Sequence, residues 1–271
     1  MTSMKSQPVV VPPGTPVHLA DFDPRYVDGD WTKESAAGQV QKNVAAIDEL
    51  AYRLYAENKR ALLIILQGLD ASGKDGTIRG VLSGVNPQTC QITSFKEPSD
   101  EELDHDFLWR IHRAVPRRGE IGIFNRSQYE DVLVVRVHQL VPESEWRTRY
   151  DRINEFEKLL VEGGMTILKF YLHISKEEQR KRLQERLENS QKRWKFRLRD
   201  LDERKLWDDY QRAYEEALTK CNTTHAPWHF VPADRNWYRN LVVSKTTREA
   251  LERMDPKFPP PEEGLEGIAI E

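Results

Sequence analysis

Apolar residues in this chain fall into short continuous runs separated by amphipathic stretches. Ala61–Leu66 (ALLIIL) is the first run, and Gln91–Phe95, Ile121–Phe124, Thr166–Ile174 and the shorter Trp228–Val231 follow. Runs of this length without alternation predict strands buried on both faces, as in a parallel sheet. Between them lie helical patterns. Thr32 can cap a helix reaching about Lys59, with Val40, Val44, Ile47, Ala51 and Leu54 on one face. Glu145–Glu162 places Trp146, Ile153, Phe156 and Leu160 on an inner face, and Gly163-Gly164 ends it. Ser99 with Glu102 and Ser175 with Glu178 each fit a capping box. Strands alternating with helices predict right-handed crossovers and a five-stranded parallel sheet in a three-layer α/β/α fold.

The ends of the chain differ from this middle. Residues 1–30 are rich in proline and small polar residues and read as an extended or partly disordered arm; 255–271 read as a loose, proline-containing tail. One domain over 31–254 is expected between them, with a charged lid at about 176–205. No stretch approaches the length of an apolar membrane span. Prolines interrupt any secretory-type apolar core near the N-terminus. Cys90 and Cys221 cannot form a disulfide framework and suit free thiols in a reducing cytoplasm.

Net charge is -3, which argues against a general nucleic-acid binder. Its distribution is more informative. Between Lys176 and Lys205 there are twelve Lys and Arg against seven acids. One basic segment on a nearly neutral protein suggests a focused anion site.

The first strand runs into Gly68-Leu69-Asp70-Ala71-Ser72-Gly73-Lys74-Asp75-Gly76-Thr77, a G-x-x-x-x-G-K pattern between a strand and a helix. Glycines let backbone N–H groups converge on phosphate oxygens, and the helix N-terminus adds positive potential. Gly68, Ala71, Ser72, Gly73, Asp75, Gly76 and Thr77 are therefore candidate phosphate contacts, with Lys74 reaching the terminal phosphates. Two positions depart from the common pattern. Asp75 stands where a Mg²⁺-binding hydroxyl is usual, with Thr77 two residues on. Asp70 places a carboxylate inside the loop, tolerable if it faces Mg²⁺ or a lysine. The third strand leads into Asn125-Arg126-Ser127-Gln128-Tyr129-Glu130-Asp131. Asn125 occupies the place of the usual metal-supporting acid. Glu130 and Asp131 could restore the charge, and Arg126 would point at the phosphates.

GLDASGKDGT, FNRSQYEDVLVVRVH, SKEEQRKRL with RWKFR, and THAPWHFVPADRNWYRN, in that order, resemble the polyphosphate kinase 2 family over about Trp31 to Leu251. The resemblance implies a P-loop kinase core with a helical lid, and phosphoryl transfer between inorganic polyphosphate and nucleotides. By position, Asp70 and Lys74 resemble the loop residues that organise Mg²⁺ and the reacting phosphates, Arg126 the following phosphate contact, and Arg186 the lid arginine. Lys192 and Lys195 fall in the basic lid stretch. Asn125 with Glu130 resembles the subgroup that phosphorylates both nucleoside mono- and diphosphates, so AMP and ADP are the expected acceptors. Guanine nucleotides also fit that subgroup. The family's tendency to form homo-oligomers carries over as an expectation, as does Mg²⁺, with Mn²⁺ as its substitute, near Asp70 and Glu130.

Residue chemistry adds detail. Arg182 and Arg186 are four apart and share a helix face, so both are candidates for a channel that tracks a polyanion, whereas Arg113, Arg117 and Arg118 read as surface. Trp194, Phe196, Trp207 and Trp228 read as packing. His105 and His112 share a face of one expected helix but make no metal set. Two rival functions share the loop: an ATP-dependent nucleoside monophosphate kinase, and a non-catalytic nucleotide- or polyphosphate-binding regulator.

Overall fold

A computed structural model describes residues 10–265. Helix α1 (Lys33–Glu57) opens at Thr32, whose side chain accepts from Ser35 N in a reciprocal capping box, and ends at Asn58 in the left-handed conformation. Val44, Ile47, Ala51 and Leu54 are buried as the spacing requires; Val40 is half-buried. Strand β1 (Ala61–Gln67) is buried at every position. It is followed by α2 (Lys74–Leu82), β2 (Cys90–Ser94), the short α3 (Asp100–Leu103) and α4 (Trp109–Ala114), then β3 (Ile121–Asn125) and α5 (Glu130–Val137). Next come α6 (Glu143–Glu162), β4 (Met165–His173), α7 (Lys176–Glu188), α8 (Arg199–Lys205), α9 (Trp207–Lys220), β5 (Trp228–Pro232) and α10 (Asn236–Met254).

The five strands are parallel, in the order β2-β3-β1-β4-β5. Alternation along β1 divides the core. Leu63 and Ile65 pack with α5, α6 and α9, while Leu62, Ile64 and Leu66 pack with α1, α2 and α10. The expected three layers follow, because each run of apolar residues supplies both faces.

Several details differ from expectation. Strand β2 is an edge strand, and Gln91, Ile92 and Ser94 are not buried, so it is not covered on both faces. The Ser99 capping box forms. At Ser175 only half of one forms: the hydroxyl accepts from Glu178 N, but Ser175 N donates to Asp234 and Glu178 turns to Arg182. His105 and His112 do not share a helix, because α3 ends at Leu103 and α4 begins at Trp109. Leu160 is half-buried, while Tyr150 and Glu157 join the inner face of α6.

The arm reading covers residues 1–9 and the tail reading 266–271, which lie outside the described residues. The rest of the arm has little regular structure but is fastened to the core. Val10 bridges His229, Val17 N donates to Thr219, Leu19 N donates to Glu215, and Phe22 stacks on Phe230. Residues 255–265 carry no helix or strand; Phe258 rests edge-on against Tyr52.

Candidate active site

The parallel pairing sets two loops side by side. Leu66 on β1 is in register with Asn125 on β3, and Arg126 N donates to Leu66 O at 3.1 Å. The Gly68 loop and the Asn125 segment therefore leave the carboxyl ends of adjacent strands, where ligands of open α/β sheets bind.

The Gly68–Lys74 loop turns through positive φ at Gly68, Ala71 (63°) and Gly73. Ala71 is not a glycine, so this conformation costs about 1 kcal/mol. Ser72 N closes a turn on Leu69 O. Lys74 begins α2 and folds back, its Nζ donating to Gly68 O at 2.6 Å and Leu69 O at 3.3 Å. It is 8% exposed, and burial, helped by Arg126, lowers its pKa to about 8 against the offsetting pull of Asp70, Glu130 and Asp75. Thr77, two residues further on, turns its Oγ1 back to donate to Gly73 O at 3.1 Å.

A pH effect follows. In the folded, ligand-free protein, the Lys74 ammonium is disfavoured relative to the unfolded chain, whose lysine titrates near 10.5. It opposes folding below about pH 8, and that penalty fades as pH rises from about 8 to 10.5. A bound polyanion reverses the preference by stabilising the ammonium. Tripolyphosphate affinity should therefore weaken about tenfold between pH 7 and pH 9, with proton uptake on binding above pH 8. Calorimetry in buffers of different ionisation enthalpy measures that proton; a Lys74→Met variant should show neither effect.

Arg126, itself at φ 64°, joins the two loops. Its Nη2 donates to Asp70 Oδ1 at 2.6 Å and its Nη1 to Glu130 Oε2 at 2.7 Å. Glu130 and then Asp70 hold the guanidinium charged, outweighing its burial. Burial alone would raise the Asp70 pKa, but Arg126, Lys74 and Arg186 hold it below its ordinary value. Asn125 Nδ2 donates to Asp75 Oδ1 at 2.8 Å, and Lys195 Nζ reaches Asp75 Oδ2 at 3.2 Å. Thus the two departures from the common pattern, Asp75 and Asn125, bind each other and fasten a lid lysine. Asp131 does not join this set. It is buried against Arg110 and Arg149, and burial raises its pKa to about 6.

The lid cations separate into two groups. Arg186 is half-buried on α7, near enough that its charge helps hold the Asp70 pKa down, and makes no ion pair among the described residues. Lys192 is exposed and Lys195 half-exposed beside Asp75. Arg182, expected to touch phosphate, is engaged elsewhere. Its guanidinium donates to Glu178, to Ala71 O and Ser72 O of the loop, and to Ala233 O and Asp234 O. It braces the loop from behind. Trp194 is exposed on the lid rather than packed, while Trp228 is buried as expected. Arg117 pairs with Glu120, and Arg113 lies over the Trp109 ring.

Among the described residues, no three His, Cys, Asp or Glu side chains gather into a metal cage. Mg²⁺ bound mainly by water and phosphate oxygens needs only one or two carboxylates. Asp70 and Glu130 fit that need. Each gives one oxygen to Arg126, and both line the same small cavity of about 30 Å³ with Gly68, Asp200 and Glu203.

Sequence reasoning missed the layer that holds this site. Lys169 and Glu157 are fully buried and paired at 2.6 Å. Lys169 Nζ also donates to Tyr129 Oη and Cys221 O, while Gln128 Nε2 and Tyr129 Oη donate to Glu157 Oε1. Gln67 Nε2 donates to Ser127 Oγ. The Ser127-Gln128-Tyr129 turn between Arg126 and Glu130 is therefore fixed from below. The available signal was a lysine inside the apolar run Thr166–Ile174 and a glutamate beside Phe156 on the inner face of α6.

Comparison with known proteins agrees with this geometry. The Polyphosphate kinase 2 (PPK2) family profile matches residues 30–259. An AMP/ADP-polyphosphate phosphotransferase of Meiothermus ruber is 50% identical over 265 residues, covering 96% of this chain and 98% of that protein. An ADP-polyphosphate phosphotransferase of Rhodopseudomonas palustris is 46% identical, covering 88% and 85% respectively. The crystal structure of Polyphosphate Kinase 2 from Arthrobacter aurescens superposes with a TM-score of 0.91 at 42% identity, covering 95% of this chain and 92% of that one. With a glycine-rich loop, an arginine joining two carboxylates and a basic lid arranged on the same fold, this chain belongs to the polyphosphate kinase 2 family.

Proposed function

We propose that this enzyme transfers phosphoryl groups from inorganic polyphosphate to AMP and ADP, forming ADP and ATP reversibly, with GMP and GDP as further acceptors. The observation that carries the reading is Arg126 joined to Asp70 at 2.6 Å and to Glu130 at 2.7 Å beside the glycine-rich loop, with the buried Lys74 at the start of α2. The relatives named for AMP/ADP and ADP phosphotransfer support the choice of acceptor.

Phosphoryl transfer proceeds through a loose transition state, so catalysis is alignment and charge neutralisation. The N-terminus of α2 and Lys74 hold the migrating phosphoryl, Arg126 bridges the two loops against it, and Arg186 closes from the lid. The acceptor phosphate is already an anion and needs no strong general base. Asp70 and Glu130 would hold Mg²⁺ or Mn²⁺, which neutralises charge on donor and acceptor oxygens when bound. Lys192 and Lys195 extend the cationic wall along the donor chain. Among the described residues no helix is long and apolar enough to cross a membrane. A cytoplasmic location and a homo-oligomeric assembly complete the proposal.

The test is a donor assay. With polyphosphate, Mg²⁺ and AMP, and no nucleoside triphosphate, ADP and then ATP should accumulate. Product that forms only with ATP as donor would make the enzyme a nucleoside monophosphate kinase. Binding of polyphosphate without product would make it a regulator.

A further inference from the structure

Arg182 braces the loop from behind, and a second cation lies beside it there. Arg239, on α10, is 2% exposed. Its Nη1 donates to Asn236 Oδ1 at 2.7 Å and reaches Ser72 O at 3.4 Å, and its Nε and Nη2 donate to Asn240 Oδ1 at 3.3 and 3.0 Å. Every one of these acceptors is neutral. Among the described residues, no carboxylate forms an ion pair with it. The charged group that acts on it is another cation, Arg182, whose Nη1 shares the Ser72 carbonyl at 3.1 Å. Burial, and Arg182 after it, lower the Arg239 pKa to about 9.

Two guanidinium groups thus converge on one peptide unit. The convergence is tight enough that a Cβ on Gly73, which sits at φ 102°, would overlap Arg239 Nη1. In a trans peptide the C=O and the following N–H point in opposite directions. Holding Ser72 O toward α10 and α7 therefore turns Gly73 N–H away from them, toward the loop interior. A buried cation without a counter-ion is unfavourable in the empty protein. A polyanion seated in the loop supplies the missing negative charge.

We propose that Arg239 is a positioning residue for the phosphate chain: it fixes the Ser72–Gly73 peptide from behind and contributes a buried positive charge that bound phosphate compensates. This rests on the loop being the phosphate seat. Binding and folding are linked through it, since the charge opposes folding of the ligand-free protein and favours the complex.

Two variants test the charge: Arg239→Gln removes it and, being shorter, also gives up the Nη1 contact with Ser72 O, whereas Arg239→Lys keeps the charge. Thermal melting with and without tripolyphosphate and Mg²⁺ is compared with steady-state kinetics. Arg239→Gln should melt at or above the wild-type temperature without ligand and lose at least about half of the tripolyphosphate-induced shift. Its KM for polyphosphate should rise about tenfold with a smaller change in kcat. Arg239→Lys should regain most of the shift and of the KM. A glutamine variant with the full ligand shift overturns the proposal, as does one that melts well below wild type with its shift intact. A wild-type protein without any tripolyphosphate shift, or a Lys74→Met variant that keeps it, overturns the loop assignment instead.

Discussion

Lys74→Met should lower polyphosphate-dependent ATP formation by about 10²–10³-fold, the loss seen when one preorganised charge is removed from a transition state. The side chain is suited to show this cleanly. Lys74 is buried, makes its hydrogen bonds only to the Gly68 and Leu69 carbonyls, and forms no ion pair among the described residues. Its ammonium is disfavoured by burial in the ligand-free fold. Replacing it with an uncharged chain of similar length therefore removes a charge that the empty protein does not need. The melting temperature without ligand should stay within a few degrees of wild type, a shift of about 1 kcal/mol or less. Because the charge meets the migrating phosphoryl, kcat should fall more than KM rises. Initial rates from AMP and polyphosphate, read beside a melting curve, check both halves. Near-normal turnover in a folded variant would sink the assignment of Lys74.

What could be read from the sequence follows from which interactions are local. Strands β1 and β4 are continuous apolar runs, and α1 and α6 carry their apolar faces at helical spacing, so element, layer and direction are written within each segment. The loop is likewise local, since glycine spacing and the following helix are contiguous. Strand β2 shows the limit of this. Gln91–Phe95 reads as one of the covered strands, yet Gln91, Thr93 and Ser94 are polar and the strand lies at the sheet edge, a place set by its neighbours. Arg182 shows the same limit at the site. Its spacing from Arg186 places both on one face of α7, but α7 lies against the loop so that Arg182 donates to the Ala71 and Ser72 carbonyls, which spacing alone does not show. The pairing of Asp75 with Asn125 and Lys195 joins positions 50 and 120 residues apart. Asp75 and Asn125 are each anomalous alone, and the register of β1 with β3 brings them together, while Lys195 arrives from the lid.

The buried pair beneath the site supports the largest stability prediction. Lys169→Met should destabilise the protein by about 3–5 kcal/mol, because it leaves Glu157 as an uncompensated charge in a fully buried position. For a chain of this size that corresponds to a fall of about 10 °C in melting temperature. The loss should extend to turnover, since Glu157 holds Gln128 and Tyr129, and Tyr129 precedes the Glu130 that pairs with Arg126. Adding Glu157→Leu to Lys169→Met removes the stranded charge and should restore more than half of the lost stability. Replacing both members of a buried ion pair with apolar groups is often near neutral. Recovery should stop short of complete, because Gln128 Nε2 and Tyr129 Oη would then lack their acceptor, at about 1–3 kcal/mol for an unsatisfied buried donor. The double variant should consequently fold well but turn over slowly, with the Arg126 turn no longer held from below. Melting curves of the two single variants and the double, closed as a cycle, measure the coupling. If the single Lys169→Met variant melted within a few degrees of wild type, or if the double variant were as active as wild type, the turn would owe its position to the Gln67–Ser127 contact instead.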